Sequence, residues 1–219
     1  MNRLKEKFNL TDKEMLCLPS LQDVSWESLE EKISFYITFF GSKKKFFKFV
    51  EAQEIVSDWG GGPEYRKNNI FVINPQVVKA RLEWQTDFFN VSTEKVKECW
   101  LYNPSWAFHN ASYFESHILA VSNYFSIALD EAKKLCLEKT WVLGKQWEKV
   151  EKRVLRYAAY FGVSREEIIA LILKFPELMN WMTSRIINNN IPPIVLKKPI
   201  LLECMSDFLD NPYVGYRCR

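Results

Sequence analysis

The chain has 219 residues, 47% of them hydrophobic and 15% aromatic, with 30 Lys plus Arg against 27 Asp plus Glu and a net charge of +3. That is too apolar for a disordered chain, and seven glycines are too few for a loop-rich all-β protein, so a packed helical fold is the natural reading. So small a charge excess does not announce a nucleic-acid binder, and any basic site has to come from local arrangement.

Residues 1–25 read as an N-terminal extension. MNRLKEKFNLTDKEMLCLPS mixes acids and bases, lacks the apolar stretch of a signal peptide and is not the acid-poor, Arg-rich pattern of a transit peptide, so no presequence is expected. Cys17, Cys99, Cys136, Cys204 and Cys218 are scattered without a CxxC pair, which fits free thiols in a reducing compartment. His109 and His117 do not stand at ligand spacing from any Cys pair, so neither metal nor cofactor is expected. Apolar runs such as EIIALILKF are cut by charges well before the roughly 18 residues of a membrane span, and a soluble intracellular monomer is expected.

From residue 26 onward the chain repeats. WESLEEKISFYITFFG, starting at Trp26, aligns without gaps on WEKVEKRVLRYAAYFG, starting at Trp147, with six identities that include Tyr36/Tyr157, Phe40/Phe161 and Gly41/Gly162. FFNVSTEKVKECWLYNP matches YFGVSREEIIALILKFP at an offset of 72, and YFSIALDEAKKLCLEKT sits at the half-way offset of 36 with Thr140 where the others have Pro104 and Pro176. The period predicts helical hairpins over 26–59, 75–108, 111–144 and 147–181, a degenerate fifth unit over 183–219, and an inserted Gly-rich loop over 60–69.

Within the fourth unit Val150, Val154, Tyr157 and Phe161 recur every three or four residues, one face of an amphipathic helix. Gly162, like Asn90 in the second unit, tolerates the left-handed conformation that ends helices, and Ser164 with Glu167 makes a capping box for the next one. That second helix points Ile168, Leu171, Ile172 and Phe175 at the core before Pro176 closes it. One hairpin cannot cover its own apolar face, whereas stacked hairpins can. The expected fold is therefore all-α: residues 26–219 as a single, curved, right-handed-type α-solenoid.

YFGVSREEIIALILKFPELM resembles the repeat of the mitochondrial transcription termination factor family, and FFNVSTEKVKECWLYNPSW is similar to the same motif. The resemblance covers most of residues 26–212, strongest in the fourth unit and faint in the third and fifth. It implies a curved solenoid that binds DNA or RNA along a positive face in organellar transcription, ribosome assembly or related work, with the mitochondrion as its compartment. The chain departs from the family at Thr140, in its mild charge, in its length and in lacking a visible presequence, which leaves a bacterial cytoplasm open. Pentatricopeptide and tetratricopeptide arrays have similar periods but do not combine Gly-Val-Ser at the inter-helix turn with a closing Pro.

One polar column persists across the units: Lys32, Arg81, His117 and Arg153 each precede a core residue of a first helix. A ladder of cations at one unit's spacing could track phosphates; alternatively, each stem lies over the core and its head pairs with a neighbouring acid. Lys149, Lys152 and Arg156 extend the basic face of the fourth unit, and Lys43, Lys44, Lys45 and Lys48 form the densest positive run, near a helix N-terminus. Arg66 and Lys67 sit in the Gly-rich loop. The shared phenylalanines Phe40, Phe89, Phe125 and Phe161 read as core, while Trp84, Trp100 and Trp106 could stack on bases or simply pack. No Gly-rich phosphate loop, nucleophile elbow or His–carboxylate motif is visible, so no catalytic residue and no enzyme activity are expected. Nucleic acid is the expected partner, with a protein partner in the groove as the alternative.

Overall fold

The computed structural model describes residues 2–18, 25–58 and 70–180; the expected fifth unit, the Gly-rich loop with Arg66 and Lys67, and Cys204 and Cys218 lie outside them. Among the described residues the fold is helical and contains no strand. The chain divides into two compact units, Met1–Gly144 and Lys145–Arg219.

In the first unit the N-terminal extension is itself structured. Helix α1 (Asn2–Phe8) is followed by the short α2 (Asp12–Leu16), which Thr11 and Glu14 open with a capping box. Leu4, Leu10 and Cys17 are buried, and Arg3 and Lys7 reach Glu30 on the next helix.

Three hairpins follow. Helix α3 (Trp26–Phe40) is capped by Ser25 and buries Leu29, Ile33, Tyr36 and Phe40, each 2% exposed or less. Gly41, at φ 77°, turns the chain into α4 (Lys43–Asp58). The second hairpin pairs α5 (Pro75–Phe89), capped by Asn74 with Pro at its first turn, with α6 (Thr93–Tyr102). The third pairs α7 (Ala111–Phe125) with α8 (Leu129–Glu138). Asn90 at φ 51° and Ser126 at φ 55° take the left-handed place of Gly41. In the second unit the same order recurs, α9 (Trp147–Phe161), Gly162 at φ 63°, then α10 (Arg165–Lys174) with its Ser164/Glu167 capping box. Helices α5, α7 and α9 are each 15 residues long and start 36 residues apart.

A feature not anticipated from the sequence closes the repeats that end in α6, α8 and α10. After α6, α8 and α10 the chain takes one extended residue, Asn103, Lys139 or Phe175, with φ between −139° and −129°, and then a 3-10 turn: η1 (Pro104–Ala107), η2 (Thr140–Val142) or η3 (Pro176–Asn180). Thr140 makes this turn without a pyrrolidine ring because its carbonyl is held from the preceding hairpin, by Asn103 Nδ2 at 3.1 Å and Trp106 Nε1 at 3.2 Å. Within the first unit α4 packs on α6, α5 packs on α7, and η1 lies against α4, α5 and α6.

The shared phenylalanine column is core in the first unit, with Phe40, Phe89 and Phe125 at 5% exposure or less. In the second unit Phe161 is only half-buried, packed 6.3 Å from Tyr157, and Phe175 is half-buried as well. Trp100 and Trp106 are fully buried, and their indole N–H groups donate to Gln85 Oε1 at 2.8 Å and the Thr140 carbonyl, so packing is their role. Trp84 is half-buried and stacks on Phe88.

Candidate nucleic-acid interface

The cation column does not act as one set. Lys32 Nζ donates to the Phe71 carbonyl at 2.5 Å, and Arg81 Nη1 donates to the Ala107 carbonyl at 3.1 Å. Those acceptors are equivalent, 36 residues apart, and each ends the segment leading into the next hairpin. Both donors are half-buried, and burial lowers the Arg81 guanidinium from its ordinary value. These two cations therefore hold backbone carbonyls that would otherwise be poorly solvated. His117 turns inward on its own helix, with Nδ1 2.8 Å from the Tyr113 carbonyl and its ring stacked 3.8 Å from Tyr113. Arg153 belongs to the second unit and has no hydrogen bond or ion pair among the described residues.

Two further columns stitch the first unit, and both escaped the sequence. Tyr36 Oη donates to the Ile70 carbonyl at 3.1 Å, and the equivalent Gln85 Nε2 donates to the Trp106 carbonyl at 2.9 Å. Burial pushes the Tyr36 phenol far above its ordinary value, so it stays a donor. Lys97 Nζ sits 5.0 Å from the Phe39 ring centroid and Lys133 Nζ 4.4 Å from that of Phe88, each between neighbouring hairpins and each near an acid one turn earlier, Glu94 or Asp130. The signal available was the 36-residue spacing of Glu94–Lys97 and Asp130–Lys133.

The α4 lysines are likewise divided. Lys43 is half-buried and joins the Asn9 carbonyl at 2.5 Å and Glu14 at 3.3 Å. Burial raises the Glu14 carboxyl, but bonds from the Thr11 N–H and Lys43 outweigh that and hold it below its ordinary value. Lys44 and Lys45 are exposed, and Ser42 already caps the Lys45 N–H at 3.2 Å. Lys48 is exposed with its ammonium 5.6 Å from the ring of Tyr102, itself 78% exposed.

Helix α9 gathers what the other helices disperse. Lys149, Lys152, Arg153 and Arg156 follow one another at helical spacing, and at about 100° per residue they share an arc of about 100°. Lys149, Lys152 and Arg156 are exposed, Arg153 is half-buried, and none forms an ion pair among the described residues. Glu151 faces away from this arc, about 150° from its centre, and is held by Arg165 in a bidentate pair at 2.7 and 3.0 Å. Lys145 lies at the same end, and burial followed by the charge of Arg153 lowers its ammonium from the ordinary value. On the adjoining face Val150, Val154 and Tyr157 are buried, so α9 is fixed by its apolar side while Lys149, Lys152 and Arg156 stay in water and Arg153 borders the core.

A groove of about 550 Å³ runs between α6 and η2, lined by Lys95, Glu98, Tyr102, Glu138, Lys139 and Trp141, of mixed charge. Its Cys99 thiol, pushed up to about 11 by burial, donates weakly to the Leu137 carbonyl and is no nucleophile at neutral pH. Among the described residues no group of His, Cys, Asp and Glu could hold a metal, and no helix is long and apolar enough to cross a membrane. No protein-family model matches the chain, and no curated protein matches it at a significant level.

Proposed function

We propose that this chain is a nucleic-acid-binding helical-repeat protein, built as an α-solenoid like the termination factors it resembles, and that it meets the phosphate backbone chiefly through α9. The observation that carries this reading is the stripe Lys149, Lys152, Arg153 and Arg156, four cations on one helical face with no acid paired to them among the described residues. Side chains so placed neutralise phosphates and release counterions, which gives salt-dependent affinity without reading base edges. The unit of helix, left-handed turn, helix and closing turn, recurring every 36 residues, supports the solenoid. Exposed Lys44, Lys45 and Lys48 on α4 are the secondary contacts. The resemblance puts the work in transcription or ribosome-related processes, in an organelle or a bacterium.

The test is binding to single- and double-stranded DNA and RNA over a salt series. Replacing Lys149, Lys152 and Arg156 together by Ala lowers the slope of log affinity against log salt by about 0.9 per lost contact on duplex DNA and about 0.7 on single strands. An unchanged slope removes α9 from the interface. A protein-binding scaffold is the second reading, favoured by one observation: where α9 has Lys149, α5 has Val77, 43% exposed, and Val72 just before that helix is 56% exposed.

A further inference from the structure

The chain's two histidines stand together in the first unit. His109 lies between η1 and α7, its ring stacked on Tyr113 at 3.5 Å and 7°, and His117 covers Tyr113 from the next turn of the helix at 3.8 Å and 27°. Arg81 reaches across from α5 to the Ala107 carbonyl, two residues before His109. Below the stack Phe114 is fully buried against Phe89 and Trp106, the aromatic centre of the α5–α7 contact.

We propose that this arrangement is an acid-operated joint: charging His109 against the charges of Arg81 and His117 loosens the closing turn that Arg81 holds, and with it the seat of α7 on α5. The charged groups acting on His109 are Arg81 from α5 and His117 from α7, both of one sign once protonated. Tyr113 covers its ring, η1 carries no titratable residue, and α4 meets the adjoining Phe108 with Phe49. Glu83 on α5 and Glu115 on α7 are exposed and do not act on it. Burial first, then the charges of His117 and Arg81, push the His109 ring down to about 4.

A ring held neutral when folded gains a proton when the joint opens, so closure is complete above the ordinary histidine value near 6.5 and is lost as pH falls from there towards 4. The same difference makes the open form about 20-fold more populated at pH 5 than at pH 7.

Amide hydrogen exchange on the full-length chain, corrected at each pH for the intrinsic rate, reads the opening at Phe108 N–H, bonded to the Ser105 carbonyl at 3.0 Å, and Tyr113 N–H, capped by Asn110 at 3.0 Å. The expected result is about a 30-fold rise in opening from pH 7.5 to 5, abolished in His109→Phe, which keeps a ring to stack. The same rise in His109→Phe overturns the joint. Should that variant fail to fold, the ring titration of His109 by NMR in the unaltered protein decides instead. A midpoint near 4 supports the proposal, and one near 6.5 refutes it.

Discussion

Arg81 and Arg153 occupy the same place in their helices, yet one is tied and the other is not. Arg81 spends its charge on the Ala107 carbonyl, with Gln85 on the Trp106 carbonyl beside it, and Lys32 and Tyr36 donate likewise to Phe71 and Ile70. Arg153, whose equivalent carbonyl belongs to Met179, makes no such bond and stands among Lys149, Lys152 and Arg156. A repeat column is thus a geometric slot, and its chemistry depends on whether a carbonyl comes within reach. At Lys32 and Arg81 the slot holds a closing segment and at His117 it turns back on its own helix, while at Arg153 it adds to a stripe of cations with no ion pair among the described residues.

The largest effect that tests this contrast is in the core. Phe89→Ala removes a ring that is 5% exposed and stacked at 5.3 Å on Trp106, and it is expected to cost about 3–5 kcal/mol. Phe161→Ala, in the same column but half-buried, is expected to cost less than half of that. Chemical denaturation of the full-length chain measures both. Equal losses would mean that the units are packed alike.

Next comes the pair of arginines. Arg81→Met keeps the stem but leaves the Ala107 carbonyl without its donor, a loss of about 1–3 kcal/mol. Arg153→Met is expected to stay within about 0.5 kcal/mol in stability while reducing the salt slope of nucleic-acid binding. A destabilised Arg153 variant with an unaltered slope would reverse the assignment of the two roles.

The repeat was readable because its signals are local. Helical periodicity, Gly41, Asn90 and Gly162 at the turns, and the Ser164/Glu167 box all act within a few residues of where they stand. Ser126 was not readable as a left-handed turn, since serine has no strong preference for that conformation. The tasks of Lys32 and Arg81 were hidden for a different reason. Their acceptors lie 39 and 26 residues away, in closing segments whose position is set by packing rather than by any residue beside the cation. The column looked like a site because its residue types recur, and recurrence alone does not separate a scaffold from a ligand ladder. The α9 stripe, by contrast, was legible as basic residues at helical spacing, and the structure adds that none of them forms an ion pair among the described residues.

The smallest expected effect concerns the lysine–phenylalanine ladder. Lys97 and Lys133 lie over Phe39 and Phe88, while the equivalent place on α10 holds Ile169, buried at 8% exposure. An aliphatic side chain therefore fits this slot, and Lys133→Met should lose only the charge–ring attraction. Asp130, 97% exposed in its side chain, stays solvated without its partner and adds little to the cost. A double-mutant cycle with Phe88→Leu isolates the contact, with a coupling of about 0.5–1 kcal/mol expected for a cation 4.4 Å from the ring. A coupling near zero would mean that Lys133 only covers apolar surface, as Ile169 does, and that charge plays no part in joining those hairpins.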